Sequence, residues 1–226
     1  MNKIPEQTEE ECLALVRRGI HGLRSVKKQT PKICLEAVRS NGLALMHVKN
    51  KTDELCWEAV RRNGGAIQFV DNQTEDMCIV AVIHSPWALT WVKQQTEEIC
   101  LEAVRRDGLM ISYVNNPTEE IHKAAISQKP DAIFRLIKNP SEAILIAGVR
   151  SSPDLLKKIK NQTEAICIAA VEKNGLALKH VKNQTEAICI AAVKQRWLAI
   201  KHVENQTDEI CEIATQKSKS AQKYIR

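Results

Sequence analysis

The sequence predicts an all-α fold, an α-solenoid of ten 22-residue helix-turn-helix repeats filling residues 5–226. Three observations lead there. A Thr or Ser opens each copy, at Thr8, Thr30, Thr52, Thr74, Thr96, Thr118, Ser141, Thr163, Thr185 and Thr207, in steps of 22 residues with one step of 23 after Thr118. Apolar residues recur at fixed offsets from that opening residue. Two copies are almost one sentence, NQTEAICIAAVEKNGLALKHVK at 161–182 and NQTEAICIAAVKQRWLAIKHVE at 183–204. Self-similarity at such a period marks an array whose units bury their apolar faces on their neighbours.

The first helix is written from the opening residue, taken as position zero. Positions +3, +4, +7 and +8 are apolar, as in Ile99, Cys100, Ala103 and Val104, or Ile188, Cys189, Ala192 and Val193. That spacing is one stripe of a helix and not one face of a strand. Thr and Ser are favoured N-caps, and the acidic pairs that follow (Glu97-Glu98, Asp208-Glu209) suit the positive end of a helix dipole. Pro31 takes a first helical position, where a missing N–H costs nothing. A leucine-rich repeat, whose period also includes 22, needs alternating leucines followed by an Asn or Cys in the strand turn; the Thr cap, the acidic first turn and the absence of that Asn-x-Leu step after alternating leucines argue against it.

A turn is expected near +11 and +12, at Asn41-Gly42, Asn63-Gly64, Asp107-Gly108 and Asn174-Gly175, with the glycine in the left-handed conformation that ends many helices. Ser85-Pro86 and Ser152-Pro153 read as a cap and first residue of the next helix. A second apolar set at +13, +14, +15 and +18, such as Leu176, Ala177, Leu178 and Val181, predicts a shorter helix of two turns. A lone copy cannot stand. Each large buried side chain contributes about 1.5–3 kcal/mol, while ordering the backbone costs about 1–2 kcal/mol per residue. Both ends are expected to be capping repeats, with Glu11 at +3 of the first copy and Glu212, Thr215, Ser220 and Gln222 in the last.

Residues 118–153 depart from the register. They lose the cysteine twice, at His122 and Leu145, gain one residue near 127–131 and bring in Pro130, Pro140 and Pro153. The segment separates six copies from four and reads as a loop or a change of curvature, a hinge or docking candidate.

Eight cysteines, Cys12, Cys34, Cys56, Cys78, Cys100, Cys167, Cys189 and Cys211, all occupy +4. Neighbouring rungs are expected one interhelical spacing apart, roughly 8–10 Å, beyond disulfide reach, and a straight ladder offers no point where four zinc ligands converge. Small thiols at the centre of the stripe read as packing, a structural ladder with no metal or cofactor. Net charge is +6, no stretch approaches a membrane span, and retained thiols suit a reducing interior. The expectation is a soluble intracellular protein.

Two columns are candidates for binding. The first is +17, with Ser25, His47, Phe69, Trp91, Tyr113, Leu136, Lys158, His180, His202 and Tyr224. A row of rings on an array suits gripping a peptide or stacking a base, and His47, Phe69, Trp91, Tyr113, His180 and His202 are the candidate partner contacts. At 100° per residue +17 falls inside the apolar arc, so packing is the favoured reading, and the histidines stand too far apart for a catalytic pair. The second is a basic strip at +9 and +10, with Arg17, Arg18, Arg39, Arg61, Arg62, Arg105, Arg106, Arg150, Lys173 and Lys194. It suits phosphate tracking. Cations at helix C-termini and the i, i+4 pairs Glu58–Arg62 and Glu102–Arg106 explain it without a ligand. The tail adds Lys217, Lys219, Lys223 and Arg226.

The opening N-Q-T-E-x-I-C resembles a family of repeats found in amoeba-infecting giant DNA viruses and some intracellular bacteria, a domain of unknown function. The resemblance covers almost the whole chain and weakens at His122 and Leu145. It implies a viral or bacterial protein of a virion or a host cytoplasm, and brings no activity, cofactor or catalytic residue. With no glycine-rich phosphate loop, HExxH or Cys-His-acid grouping outside the register, an enzyme is not expected. A protein-binding scaffold comes first, and nucleic-acid or ribonucleoprotein binding through the basic strip is the alternative.

Overall fold

The computed structural model describes residues 7–226 without the side chains of Ala132 and Ile133, so Pro5 and Glu6, where the array was expected to begin, lie outside the described residues. It is an all-α solenoid of helix-turn-helix repeats. The opening helices are α1 Glu9–Arg17, α2 Pro31–Ser40, α3 Asp53–Arg62, α4 Glu75–His84, α5 Glu97–Arg106 and α6 Glu119–Gln128. After α7 (Pro130–Leu136) come α8 Glu142–Ser151, α9 Glu164–Lys173, α10 Glu186–Gln195 and α11 Asp208–Lys217. The chain divides into two compact units, 1–121 and 122–226, with the boundary inside the irregular segment, in the first turn of α6. Within each unit successive repeats pack side by side, first helix on first helix and second on second.

The first helices follow their pattern. Positions +3, +4, +7 and +8 are buried in α2, α3, α4, α5 and α10 alike. The opening hydroxyl accepts the N–H of +3, for example Met77 onto Thr74 at 3.2 Å, and Pro31 sits in the first turn of α2. Glu11 has a specific use: its carboxylate accepts the Thr8 N–H at 2.9 Å while its own N–H is taken by the Thr8 hydroxyl, a capping box that accounts for an acid at an otherwise apolar position.

Outside the sixth repeat the second helices are not α-helices. Gly42–His47, Gly64–Phe69, Pro86–Trp91, Gly108–Tyr113, Pro153–Lys158, Gly175–His180, Trp197–His202 and Lys219–Tyr224 are 3-10 helices of six residues, and Gly22–Ser25 is one of four. At three residues per turn side chains eclipse every third position. Position +17 therefore lies over +14, not between +13 and +14, and +13 shares the outer row with +16. This overturns +13 as a core position: Trp87 is 50% exposed and Leu109 38%.

The expected left-handed glycines are also corrected. Among the described residues only Gly19 has a positive φ, 138°. The residue before each glycine is extended instead, as at Asn41 (φ −154°, ψ 115°), and its side chain caps the 3-10 helix by accepting the N–H two residues on. Glycine serves close approach: a Cβ on Gly64 would stand 2.2 Å from the Ala81 carbonyl oxygen of the next repeat. Ser85 and Ser152 precede prolines at the first 3-10 position as expected, but neither hydroxyl caps.

Of the two readings of the irregular segment, a loop or a change of curvature, the loop is not found: α6, α7 and α8 carry most of it. Its inserted residue converts the second helix of the sixth repeat into the seven-residue α7. Six residues at three per turn make two turns, and seven at 3.6 make about 1.9. The insertion is absorbed by a change of helix type.

Candidate binding surfaces

A glutamine just before the opening residue ties the repeats together. Gln73 donates from Nε2 to the Ile67 carbonyl of the preceding repeat and to the Trp91 carbonyl of its own, both at 3.0 Å. Its Oε1 accepts the Lys93 N–H at 2.9 Å and faces the Cys78 Sγ at 3.8 Å. Gln162 repeats the set on Leu156, His180, Lys182 and Cys167. One carboxamide thus satisfies carbonyls left open at the ends of two 3-10 helices. The threonine next to it pins the first helices, Thr185 donating to Glu164 at 2.5 Å and Thr207 to Glu186 at 2.8 Å, each in the copy before.

The cysteine ladder lies beneath these staples. All eight thiols are free; Cys12, Cys34, Cys56, Cys78, Cys100, Cys167 and Cys189 are buried and Cys211 is half-buried. Burial pushes the titration of Cys34, Cys56, Cys78, Cys100, Cys167 and Cys211 upward, and that of Cys189 to about 11 with Glu204 and Glu186 adding to it. Grooves between repeats of the first unit, such as the one of about 440 Å³ lined by Gln29, Thr30, Cys34, Lys49, Thr52 and Leu55, are floored by these already engaged groups.

The ring column is a pairing column. Six of its side chains meet +13, or its neighbour, of the preceding repeat, among them His47 on His21 (centroids 5.5 Å), Tyr113 on Trp87 (5.3 Å, edge-on) and Tyr224 on Trp197 (6.4 Å). His180 reaches Asp154 at 3.9 Å, Lys158 pairs with Asp131, and Trp91 lies against Gly65, whose Cβ would be 3.7 Å from the indole. His47, Phe69, His180 and His202 are half-buried, while Trp91 (41%) and Tyr113 (42%) remain exposed. The sequence reading missed His21, which lies outside the column: its Nδ1 and His47 Nε2 are 3.3 Å apart. Burial, then His21 and Arg24, hold the His47 titration low. Burial and Lys179 do the same first for His180, and burial, Lys179 and Lys201 for His202.

The arginine strip is partly spent inside the fold. Arg17 pairs with Glu36 at 2.9 Å and Arg39 with Glu58 at 3.6 Å, each acid belonging to the next repeat. Glu102–Arg106 forms the expected i, i+4 pair at 2.8 Å. Glu58 answers Arg39 across repeats where the spacing suggested Arg62. Arg61 lies over the Trp57 ring at 5.3 Å, and Arg18, Arg62, Arg105 and Arg150 are exposed.

Among the described residues no polar or charged side chain is fully buried and no helix is long and apolar enough to cross a membrane. No family model matches the chain, nor does any curated protein sequence or solved structure.

Proposed function

We propose that the protein is a non-enzymatic repeat scaffold that binds another protein through the 3-10 face of its fourth and fifth repeats. The observation that carries the reading is the company of Trp87, Trp91, Leu109 and Tyr113, each between 38% and 50% exposed and set on adjacent helices. Large rings left in water at a repeat junction are what interface hot spots are built from. Position +16 between them is uncharged (Thr90, Ser112). The partner this suits is an apolar peptide segment. The resemblance of the N-Q-T-E-x-I-C opening supplies the setting, a virion or a host cytoplasm.

A photoreactive residue at Thr90, with crosslinked peptides identified by mass spectrometry, tests it. A nuclease-resistant crosslink to one protein, lost on Trp87→Ser with Tyr113→Ser, is expected. A crosslink that survives the double substitution, or vanishes with nuclease, sinks the reading.

A further inference from the structure

Charge is divided unequally between the units. Residues 122–226 carry 18 Lys and Arg against 10 Asp and Glu, a net +8, whereas residues 1–121 carry 15 against 17, a net −2. The excess has an address. Position +16 of the last four repeats is Lys157, Lys179, Lys201 and Lys223, every one exposed on the outer row of its 3-10 helix. Those helices pack side by side, so the ammonium groups stand in file at roughly one helix spacing, about 8–10 Å. No ion pair engages any of the four among the described residues.

Five of the unit's ten acids already have partners. Glu142, Glu164 and Glu186 are gripped by the hydroxyls of Thr163, Thr185 and Thr207. Asp131 and Asp154 are answered by Lys158 and His180. A half-exposed ring follows three of the lysines directly, His180, His202 and Tyr224, and Lys201 sits over the Tyr224 ring at 4.2 Å. Cations and rings therefore alternate along the unit.

The geometry points to this file as a binding strip for single-stranded nucleic acid, in the other unit from the aromatic protein-binding face. Lysines at one helix spacing neutralise backbone phosphates, and rings between them offer faces to unpaired bases. A duplex hides its base faces and cannot use the rings. Burial, then Lys179, Lys157 and His202, hold the titration of His180 low against Asp154, and burial, Lys179 and Lys201 hold that of His202 low. Phosphates laid on the strip relieve that repulsion, so binding takes up protons and tightens as pH falls from 8 to 6.

The test is fluorescence anisotropy with the full chain and a labelled 20-nucleotide single strand, its duplex, and phosphatidylcholine–phosphatidylserine vesicles as a competitor. Four contacted phosphates give a log–log salt slope near −3, about 50-fold weaker binding between roughly 50 and 200 mM salt. Changing Lys157, Lys179, Lys201 and Lys223 to Glu should abolish binding with the far-ultraviolet spectrum intact, whereas Arg61→Glu with Arg62→Glu should leave it unchanged. His180→Gln with His202→Gln should flatten the pH dependence. Undiminished binding by the lysine variant, duplex binding equal to or tighter than single-strand binding, or capture by the vesicles in preference to the oligonucleotide would overturn the assignment.

Discussion

Lys51 reaches Asp71 at 3.6 Å, and the pair stands where neighbouring repeats have a glutamine and a lysine, Gln29 with Lys49 and Gln73 with Lys93. The staple has been exchanged for an ion pair, with both partners altered together. Asp71→Lys alone sets two ammonium groups against each other and should lower stability. Adding Lys51→Gln restores the neighbours' arrangement and should recover it. Asp71 is 83% exposed, so the coupling in a double-mutant cycle should be under about 1 kcal/mol. Strictly additive effects would show that the exchange is accidental.

Gln162→Ala removes one side chain from three backbone groups, the carbonyls of Leu156 and His180 and the N–H of Lys182. Water can reach some of them, so the expected loss is about 2 kcal/mol, within the range for leaving a polar group unsatisfied. The denaturant midpoint should fall with an unchanged slope. A loss no larger than that of an ordinary surface substitution would remove the staple from the account.

Folding raises the titration of Cys34, Cys56, Cys78, Cys100 and Cys167, and that of Cys189 from 9.0 to about 11. Above pH 9 the unfolded chain therefore releases protons that the folded chain keeps, and stability contributed by the thiols is full below pH 9 and drains away as pH rises toward 11. Urea midpoints taken between these limits should fall, and fall less in Cys189→Ala. In the native state at pH 8 a bulky thiol reagent should reach Cys211 first and the rest only through unfolding, a sequence read by peptide mass mapping.

His47, His180 and His202 have the opposite sign. Folding lowers their titration from 6.5, so the unfolded chain binds more protons, and their contribution is present above pH 6.5 and lost as pH drops through the lowered values. Replacing all three by Gln should flatten the acid limb of the stability profile. An unaltered acid limb would rule the histidines out as its cause.

The first helices were legible because ten residues hold nearly three turns, enough to separate a 3.6 period from any other, and Thr74 or Thr185 marks where each begins. The second helices were not. Six residues such as Leu176 to Val181 fit either wheel, and only packing decides that Leu178 and Val181 eclipse each other. Asn174-Gly175 was read for a left-handed glycine, although the same letters serve an extended asparagine cap and a backbone brought against Ala192. Gln162 and its equivalents went unread since a polar residue between helices carries no periodicity; its sole signal was its return beside seven of the nine opening threonines. The ring column was visible, but its pairing with the copy before, Trp87 with Tyr113, required the register of one 3-10 helix on the next.

The conversion at α7 says what the array measures. Pro130–Leu136 closes as many turns with seven residues as its counterparts close with six. A repeat that keeps its winding number can gain a codon there without displacing Ser141, which opens the following copy, so length drift inside the second helix is tolerated, while the same codon between Gln184 and Cys189 would shear one carboxamide from every group it holds.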